Sequence, residues 1–149
     1  MQRWQAHAAE ATLFARPEGS PLLEAEVAGA CLQLLERTNP YGAPPGPARI
    51  LVDAEATVAE VAPDAEGPEL RVPRRGAVAG VGRLLERDGD VVAVDAGAPL
   101  LLRLADGALS EAPLGTWIRF EAAPPLHAFV LPPAVPPPPL TGREVDEAV

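Results

Sequence analysis

The segment VGRLLERDGDVVAVDAG, residues 81–97, constrains the fold more than any other part of the chain. Runs rich in valine and leucine flank Asp88-Gly89, a residue pair preferred in two-residue type I′ hairpin loops. That loop fixes the register of the strands and defines a buried face, formed by Val81, Leu85, Val92 and Val94. Because the opposite face is apolar as well, we expect other parts of the protein to cover it. The segment therefore predicts an antiparallel sheet with both faces covered around this hairpin.

Three further segments predict strands, and the last of them is LHAFVL (126–131). The other two, RILVDAEATVAEV (49–61) and GTWIRFEA (115–122), alternate apolar and polar residues, which is the pattern of a β-strand. In the second of them the alternation directs Ile118 and Phe120 inward. The chain is therefore expected to be rich in strands.

Residues 20–37 carry the best signal for a helix. Ser20 is suited to the N-cap and Pro21 to the first helical position. The apolar residues of this segment recur at helical spacing, at Leu23, Val27, Ala30, Cys31, Leu34 and Leu35. Two features favour a strand instead, because Gly29 lowers the stability of a helix by about 1 kcal/mol relative to alanine and several alternate residues are also apolar. We predict an amphipathic helix, with a long strand as the competing interpretation.

These elements indicate an α+β fold dominated by β-structure. We expect one amphipathic helix at about residues 20–37, together with a curved antiparallel sheet or a small OB-like barrel. Residues 1–131 are expected to form a single globular domain, with residues 69–131 as its β-rich second half. Residues 132–149, in which a proline run precedes acidic residues, are expected to form a C-terminal tail. The phrases SPLLEAEVAGA and APLLLRLADGA share Pro-Leu-Leu and Gly-Ala, which we attribute to composition rather than duplication.

Charge and cysteine content limit the class of protein. Twelve arginines and no lysines face 21 acidic residues, so the net charge is −9 and the surface as a whole repels phosphate backbones. The single cysteine, Cys31, cannot form an internal disulfide, which favours a reducing compartment. The chain has no apolar run typical of a signal peptide or a spanning helix. We therefore expect a cytoplasmic protein that does not bind membranes.

Residues suited to catalysis or metal binding are few and scattered. Cys31 lies on the apolar stripe of the predicted helix, so we expect it to be buried and inert. His7 and His127 are the only imidazoles, and with one cysteine they form no recognisable set of zinc ligands. His127 is expected to be a partly buried structural residue. The glycines of GAVAGVG lack the order of the dinucleotide fingerprint and indicate β-bulges or close strand packing. We predict no catalytic residue, no metal site and no cofactor.

One cluster of arginines stands out in this acidic chain. Residues 69–87 contain five arginines and two glutamates, a local charge of +3. Guanidinium groups bind phosphate or carboxylate through paired hydrogen bonds. The candidate site for nucleic acid or an acidic partner is therefore formed by Arg71, Arg74, Arg75, Arg83 and Arg87, with Trp117 as the aromatic group.

The tail is the second candidate surface. Its prolines favour an extended polyproline segment, which a groove lined with aromatic side chains can bind. Its acidic end can pair with arginines of a partner chain. The candidate partner-binding residues are Pro136, Pro137, Pro138, Pro139, Glu144, Asp146 and Glu147.

These features predict a non-enzymatic interaction or accessory protein that acts through protein–protein contacts or self-association, including a homo-oligomer. The alternative is an OB-like barrel that binds single-stranded nucleic acid through residues 71–87, which the net charge of −9 disfavours. A small enzyme without a recognisable motif is the third interpretation.

Overall fold

The computed structural model describes residues 2–38 and 43–132. These residues form a short 3-10 helix, Gln2–His7, and ten β-strands. The strands are β1 (Ala9–Leu13), β2 (Leu22–Val27), β3 (Ala30–Glu36), β4 (Gly46–Val61), β5 (Glu69–Arg71), β6 (Val78–Asp88), β7 (Val91–Asp95), β8 (Pro99–Arg103), β9 (Trp117–Ala122) and β10 (Leu126–Val130). The prediction of a β-dominated chain is confirmed. Within the described ranges, no helix has the length and hydrophobicity that a membrane span requires.

Nine of the strands form two closed rings that share β4. The order in the first ring is β1-β2-β3-β10-β4, and the pairing of β4 with β1 closes it. The order in the second ring is β6-β7-β8-β4-β9, and the pairing of β9 with β6 closes it. β4 belongs to both rings because its 16 residues pair with β1 and β10 near one end and with β8 and β9 near the other. The prediction of a small barrel is therefore confirmed, and a second ring of the same size adjoins it.

The two rings repeat the same order of pairing. Each contains a three-strand antiparallel meander whose last strand lies parallel to a strand from the other half of the chain, β3 to β10 and β8 to β4. The two halves therefore exchange one strand each. Equivalent hairpins carry Ala28-Gly29-Ala30 and Ala96-Gly97-Ala98 at their turns. The phrases SPLLEAEVAGA and APLLLRLADGA fall on β2 and β8, which are not equivalent strands, so their similarity does not mark the repeat.

Inward side chains fill the rings, and a smaller core covers part of the outer face. The ring interiors contain fully buried aliphatic and aromatic residues that include Leu34, Val52, Leu102, Ile118 and Phe120. On the outer face, Trp4 of the 3-10 helix packs with Leu51, Ala93 and Leu101. The 3-10 helix therefore covers the outer face of β7 at Val91 and Ala93, whereas Leu84 of β6 packs inside the ring.

The predicted helix at residues 20–37 is wrong. These residues form β2 and β3, joined by a turn at Ala28-Gly29 whose φ angles are 50° and 82°. Positive φ at both central residues is the type I′ arrangement, which does not occur inside a right-handed helix. Buried and exposed residues alternate along β2 and β3. Cys31 consequently lies on the outer side of β3 and is exposed, so the prediction of its burial is wrong as well.

The predicted hairpin of β6 and β7 forms, with a turn one residue later than expected. Asp88 pairs with Val91, so the central turn residues are Gly89 and Asp90. Of these two, only Gly89 has a positive φ, at 63°. Glycine at the first central position is the type II′ arrangement, which avoids the positive φ that a type I′ loop would require of Asp88.

The later turn and a β-bulge change which residues of the hairpin are buried. The pairing shifts at the bulge next to Leu84, which is buried, whereas Leu85 is 38% exposed. The predicted burial of Leu85 is therefore wrong, and Val81 is only partly buried. Val92 and Val94 are buried as predicted.

Candidate functional site

Three residues of the predicted arginine cluster lie together at the surface. Arg71 ends β5, and Arg74 and Arg75 lie in the loop that follows, where all three are exposed. Arg71 donates a hydrogen bond to Glu69 at 3.0 Å, and a guanidinium nitrogen of Arg75 lies 3.9 Å from a carboxylate oxygen of Glu24. Two of the three guanidinium groups therefore lie beside acidic side chains of the same chain.

The remaining members of the cluster make contacts within the fold. Arg83 is the cross-strand partner of Trp117, and its guanidinium carbon lies 5.5 Å from the indole centroid. Arg87 donates from Nη1 to the carbonyl of Leu109 at 2.6 Å and from Nη2 to that of Ala108 at 3.0 Å. Its Nε donates to a third carbonyl, in the hairpin turn. Arg87 therefore ties the loop after β8 to the hairpin, so it is a structural residue.

The predicted partner-binding residues of the tail, Pro136 to Pro139, Glu144, Asp146 and Glu147, lie outside the described residues. Their role stays a prediction. In the described part of the chain, no group of three or more His, Cys, Asp or Glu side chains is arranged to hold a metal ion.

A polar patch lies where the two rings meet, along β3, β10, β4 and β8. Side chains on these strands alternate between the ring interior and the outer face. Outward positions are occupied by Asp53 on β4, Arg103 on β8 and His127 on β10, and Arg37 follows the end of β3. Asp53 and His127 are direct cross-strand partners. We name Arg37, Asp53, Arg103 and His127 the seam patch.

Asp53 is the buried member of the seam patch. It is only 7% exposed, and its Oδ2 accepts a hydrogen bond from Nη2 of Arg103 at 3.2 Å. A buried carboxylate without a cation is strongly destabilising, so Asp53 requires the guanidinium of Arg103 beside it. This requirement fixes the position of the Arg103 side chain. The guanidinium of Arg103 thus pairs with Asp53 rather than with the exposed Glu55, its direct cross-strand partner.

Arg37, which is exposed like Arg103, lies on a fixed backbone. Its N–H donates to the carbonyl of Ala128 at 2.8 Å, and Thr38 Oγ1 accepts from the N–H of Val130 at 2.8 Å. The chain therefore stays beside β10 past the end of β3. Nη1 of Arg37 lies 3.3 Å from Nδ1 of His127, which can accept a hydrogen bond from it in the tautomer that carries the proton on Nε2. Among the described residues, no carboxylate forms a salt bridge with Arg37.

Two adjoining cavities open at the seam patch. The smaller, of about 250 Å³, is lined by the four patch residues and Phe129. The larger, of about 500 Å³, shares Arg103 and His127 with it and extends past Glu55 and Thr57 to the segments that follow β8 and β9. Phe129 also packs against the core around the 3-10 helix, so its ring is a fixed apolar wall of the smaller cavity.

The sequence predicts the positions of His127 and Asp53 within their strands, but it does not predict that the four residues of the seam patch lie together. The prediction that His127 is partly buried is confirmed, and Asp53 lies on the face that the alternation of β4 assigns to it. Arg37 and Arg103 received no role. Their contacts join residues 90 and 50 positions apart in the chain, and both depend on the parallel strand pairs. No local pattern reports such a pairing.

Comparison of the chain with models of known protein families, with curated proteins and with solved structures gave no match.

Proposed function

We propose that the protein is a non-enzymatic interaction protein that acts through protein–protein contacts or self-association. The observation that carries the proposal is the seam patch, where the exposed guanidinium of Arg37 faces a cavity and contacts the imidazole of His127 rather than a carboxylate. Its remaining donors are suited to the paired hydrogen bonds that a carboxylate accepts. The adjacent ring of Phe129 supplies the apolar contact that is enriched at the centres of protein interfaces.

The closed rings support recognition through side chains. Open strand edges attract partner strands through backbone hydrogen bonds. The nine ring strands have neighbours on both sides, and the strand with a single partner, β5, has three residues. The outer faces of the sheet, rather than its edges, are therefore the surface that a partner contacts.

Sedimentation velocity of the full chain over a range of concentrations tests self-association. We expect the sedimentation coefficient to rise with concentration, and the rise to be smaller in Arg37→Gln. Arg119→Gln is the matched control, because it removes the same charge from a partly exposed position outside the seam patch and the arginine cluster and should associate as the wild type does. A full chain that sediments as a monomer throughout the range contradicts self-association, and an Arg37→Gln variant that associates normally contradicts the role of the seam patch.

Single-stranded nucleic acid is the second candidate partner. The exposed group Arg71, Arg74 and Arg75 and the contact of Arg83 with Trp117 support it, because arginines and aromatic rings bind phosphates and bases in OB-like barrels. Fluorescence anisotropy of a labelled oligonucleotide tests it. Binding at low salt that weakens steeply with added salt, and weakens again in Arg74→Ala/Arg75→Ala, supports this candidate. A flat titration at low salt eliminates it.

A further inference from the structure

The smaller cavity at the seam patch carries a local positive charge in an acidic protein. Its lining contains two arginines and one aspartate, so with His127 neutral the charge is 2 − 1 = +1, while the whole chain carries −9. Arg103 is already paired with Asp53. Among the residues that line this cavity, the arginine without a carboxylate partner is Arg37. An anion in this cavity therefore binds Arg37 first.

The chemistry of the lining favours a monoanionic carboxylate over a phosphate. A single uncompensated guanidinium matches one negative charge, and its planar fork matches the two oxygens of a carboxylate. The nearby carboxylate of Asp53 repels a second negative charge, which a phosphate group would bring. Phe129 provides an apolar surface for a carbon group attached to the carboxylate.

The larger cavity indicates the direction in which such a ligand continues. It begins at Arg103 and His127 and contains Glu55 and Thr57, whose oxygens can accept hydrogen bonds from donors of the ligand. Its remaining lining is largely apolar and includes Ala56, Leu104, Ala123, Pro124 and Pro125. A ligand longer than a small acid can therefore extend from Arg37 through the larger cavity. Its far end would then lie near the carboxylate of Glu55.

We propose that the smaller cavity is a carboxylate-binding site in which Arg37 binds the carboxylate, Phe129 contacts its carbon group, and the rest of the ligand extends past Arg103 toward Glu55. The proposal deepens the proposed function and rests on it for the source of the carboxylate, which is an acidic side chain of a protein partner. A free organic acid has the same chemistry, and the experiment separates the two sources.

Isothermal titration calorimetry of the full chain with two probes tests the site. The probes are benzoate and a peptide with the sequence of residues 143–149, REVDEAV. Methyl benzoate and the peptide with its acids replaced by amides and its C-terminus amidated are the controls without a carboxylate. Changes in the NMR chemical shifts of backbone amides in the 15N-labelled chain show whether each probe binds near the ends of β3 and β10. Both charged probes should bind, with shifts concentrated there.

Four variants test the site, and for two of them the expected changes in affinity have opposite signs. Arg37→Gln should weaken binding by about tenfold or more, because a charge-assisted hydrogen bond is lost. Asp53→Asn should strengthen binding several-fold, because it removes a competing carboxylate. Arg119→Gln, at a partly exposed arginine outside the seam patch and the arginine cluster, should change it by less than about twofold. Circular dichroism confirms that each variant is folded, and Arg37→Lys, which keeps the charge and loses the fork, should bind with intermediate affinity.

The outcomes separate the site from the proposed function. If benzoate binds and depends on Arg37 while the peptide does not bind, the carboxylate site stands and the proposed protein partner loses its support. If neither charged probe binds, or if Arg37→Gln binds both as tightly as the wild type, the carboxylate site is wrong. The carboxylate site is also wrong if a probe and its control without a carboxylate bind equally well.

Discussion

Single glycines on β6 determine how closely its neighbours approach. A Cβ atom on Gly82 would lie 2.6 Å from the carbonyl oxygen of Asp95, and one on Gly80 would overlap the carbonyl of Glu69. Both obstructing groups are backbone, held by strand pairing, so they cannot move aside. The prediction that the glycines of GAVAGVG serve close strand packing is confirmed at these two positions.

Gly82→Ala should lower the free energy of unfolding by about 1–3 kcal/mol, because the added methyl group forces β6 away from its neighbour. Urea denaturation measures this change. Gly67→Ala is the matched control, since a Cβ there meets no heavy atom within 4 Å and the φ of Gly67 is not positive. A Gly82→Ala variant as stable as Gly67→Ala would contradict the close packing of β6.

A buried ion pair sets a second prediction for single residues. Arg16 and Glu36 form a salt bridge with side-chain exposures of 9% and 1%. Arg16→Met leaves the Glu36 carboxylate buried without a cation, so the free energy of unfolding should fall by about 3–5 kcal/mol. Arg119→Met is the control, because its exposed contacts with Glu60 and Asp64 should contribute less than about 1 kcal/mol. Chemical denaturation that finds similar losses for both variants would show that burial of the pair is unimportant.

The hairpin of β2 and β3 shows how an element is selected when two periodicities coexist. Residues 20–37 have apolar side chains at helical spacing and also at alternate positions. Burial as strands satisfies the backbone, because β3 pairs with β2 on one side and β10 on the other. A helix would leave the first ring without two of its five strands. Ring closure therefore favours the strand.

Substitution of Gly29 by alanine should change the stability of the protein in opposite directions in a hairpin and in a helix. At a φ of 82° and with nothing within 4 Å of an added Cβ, Gly29→Ala should destabilise the protein by about 1 kcal/mol through the backbone alone. In a helix the same change would stabilise by about 1 kcal/mol.

Ala28→Asn should raise stability, because it creates the Asn-Gly pair preferred in type I′ turns. Thermal unfolding measured by circular dichroism reports both signs, and stabilisation by Gly29→Ala would exclude the turn.

At the scale of the whole molecule, exchange of strands between the two rings creates the seam patch. β10 closes the first ring, and β4 continues from that ring into the second. Arg37 comes from one ring and Arg103 from the other, and the central strands place Asp53 and His127 between them. Loss of ring closure would therefore separate the residues of the candidate site.

Removal of residues 132–149 should leave the thermal midpoint nearly unchanged and weaken self-association or partner binding. The strand pairs of both rings are complete at Val130, so the deleted residues close neither ring. We predict that their prolines and acidic groups contact another chain instead. Differential scanning calorimetry and sedimentation velocity on both chain lengths measure the two effects. A midpoint lower by many degrees would show that the tail belongs to the core.

The sequence by itself determined the local features of this protein. The alternation in 115–122 correctly predicts that Ile118 and Phe120 face inward, and Asp-Gly between apolar runs correctly predicts a hairpin. These signals are reliable because they depend on neighbouring residues, whose side chains point to opposite faces of a strand. The turn lies one residue later than predicted, because the same sequence is compatible with a type II′ loop at Gly89-Asp90 and a β-bulge in β6.

Only the tertiary structure decided ring closure, the strands in place of the predicted helix, and the seam patch. Each depends on hydrogen bonds between strands far apart in the chain, such as Leu34 beside Leu126 and Leu102 beside Ala54. The periodicity of one segment does not name its partner, and parallel pairing leaves no turn between the two strands to indicate it. Arg37 and Arg103 look like ordinary surface arginines until those pairings bring them to one cavity.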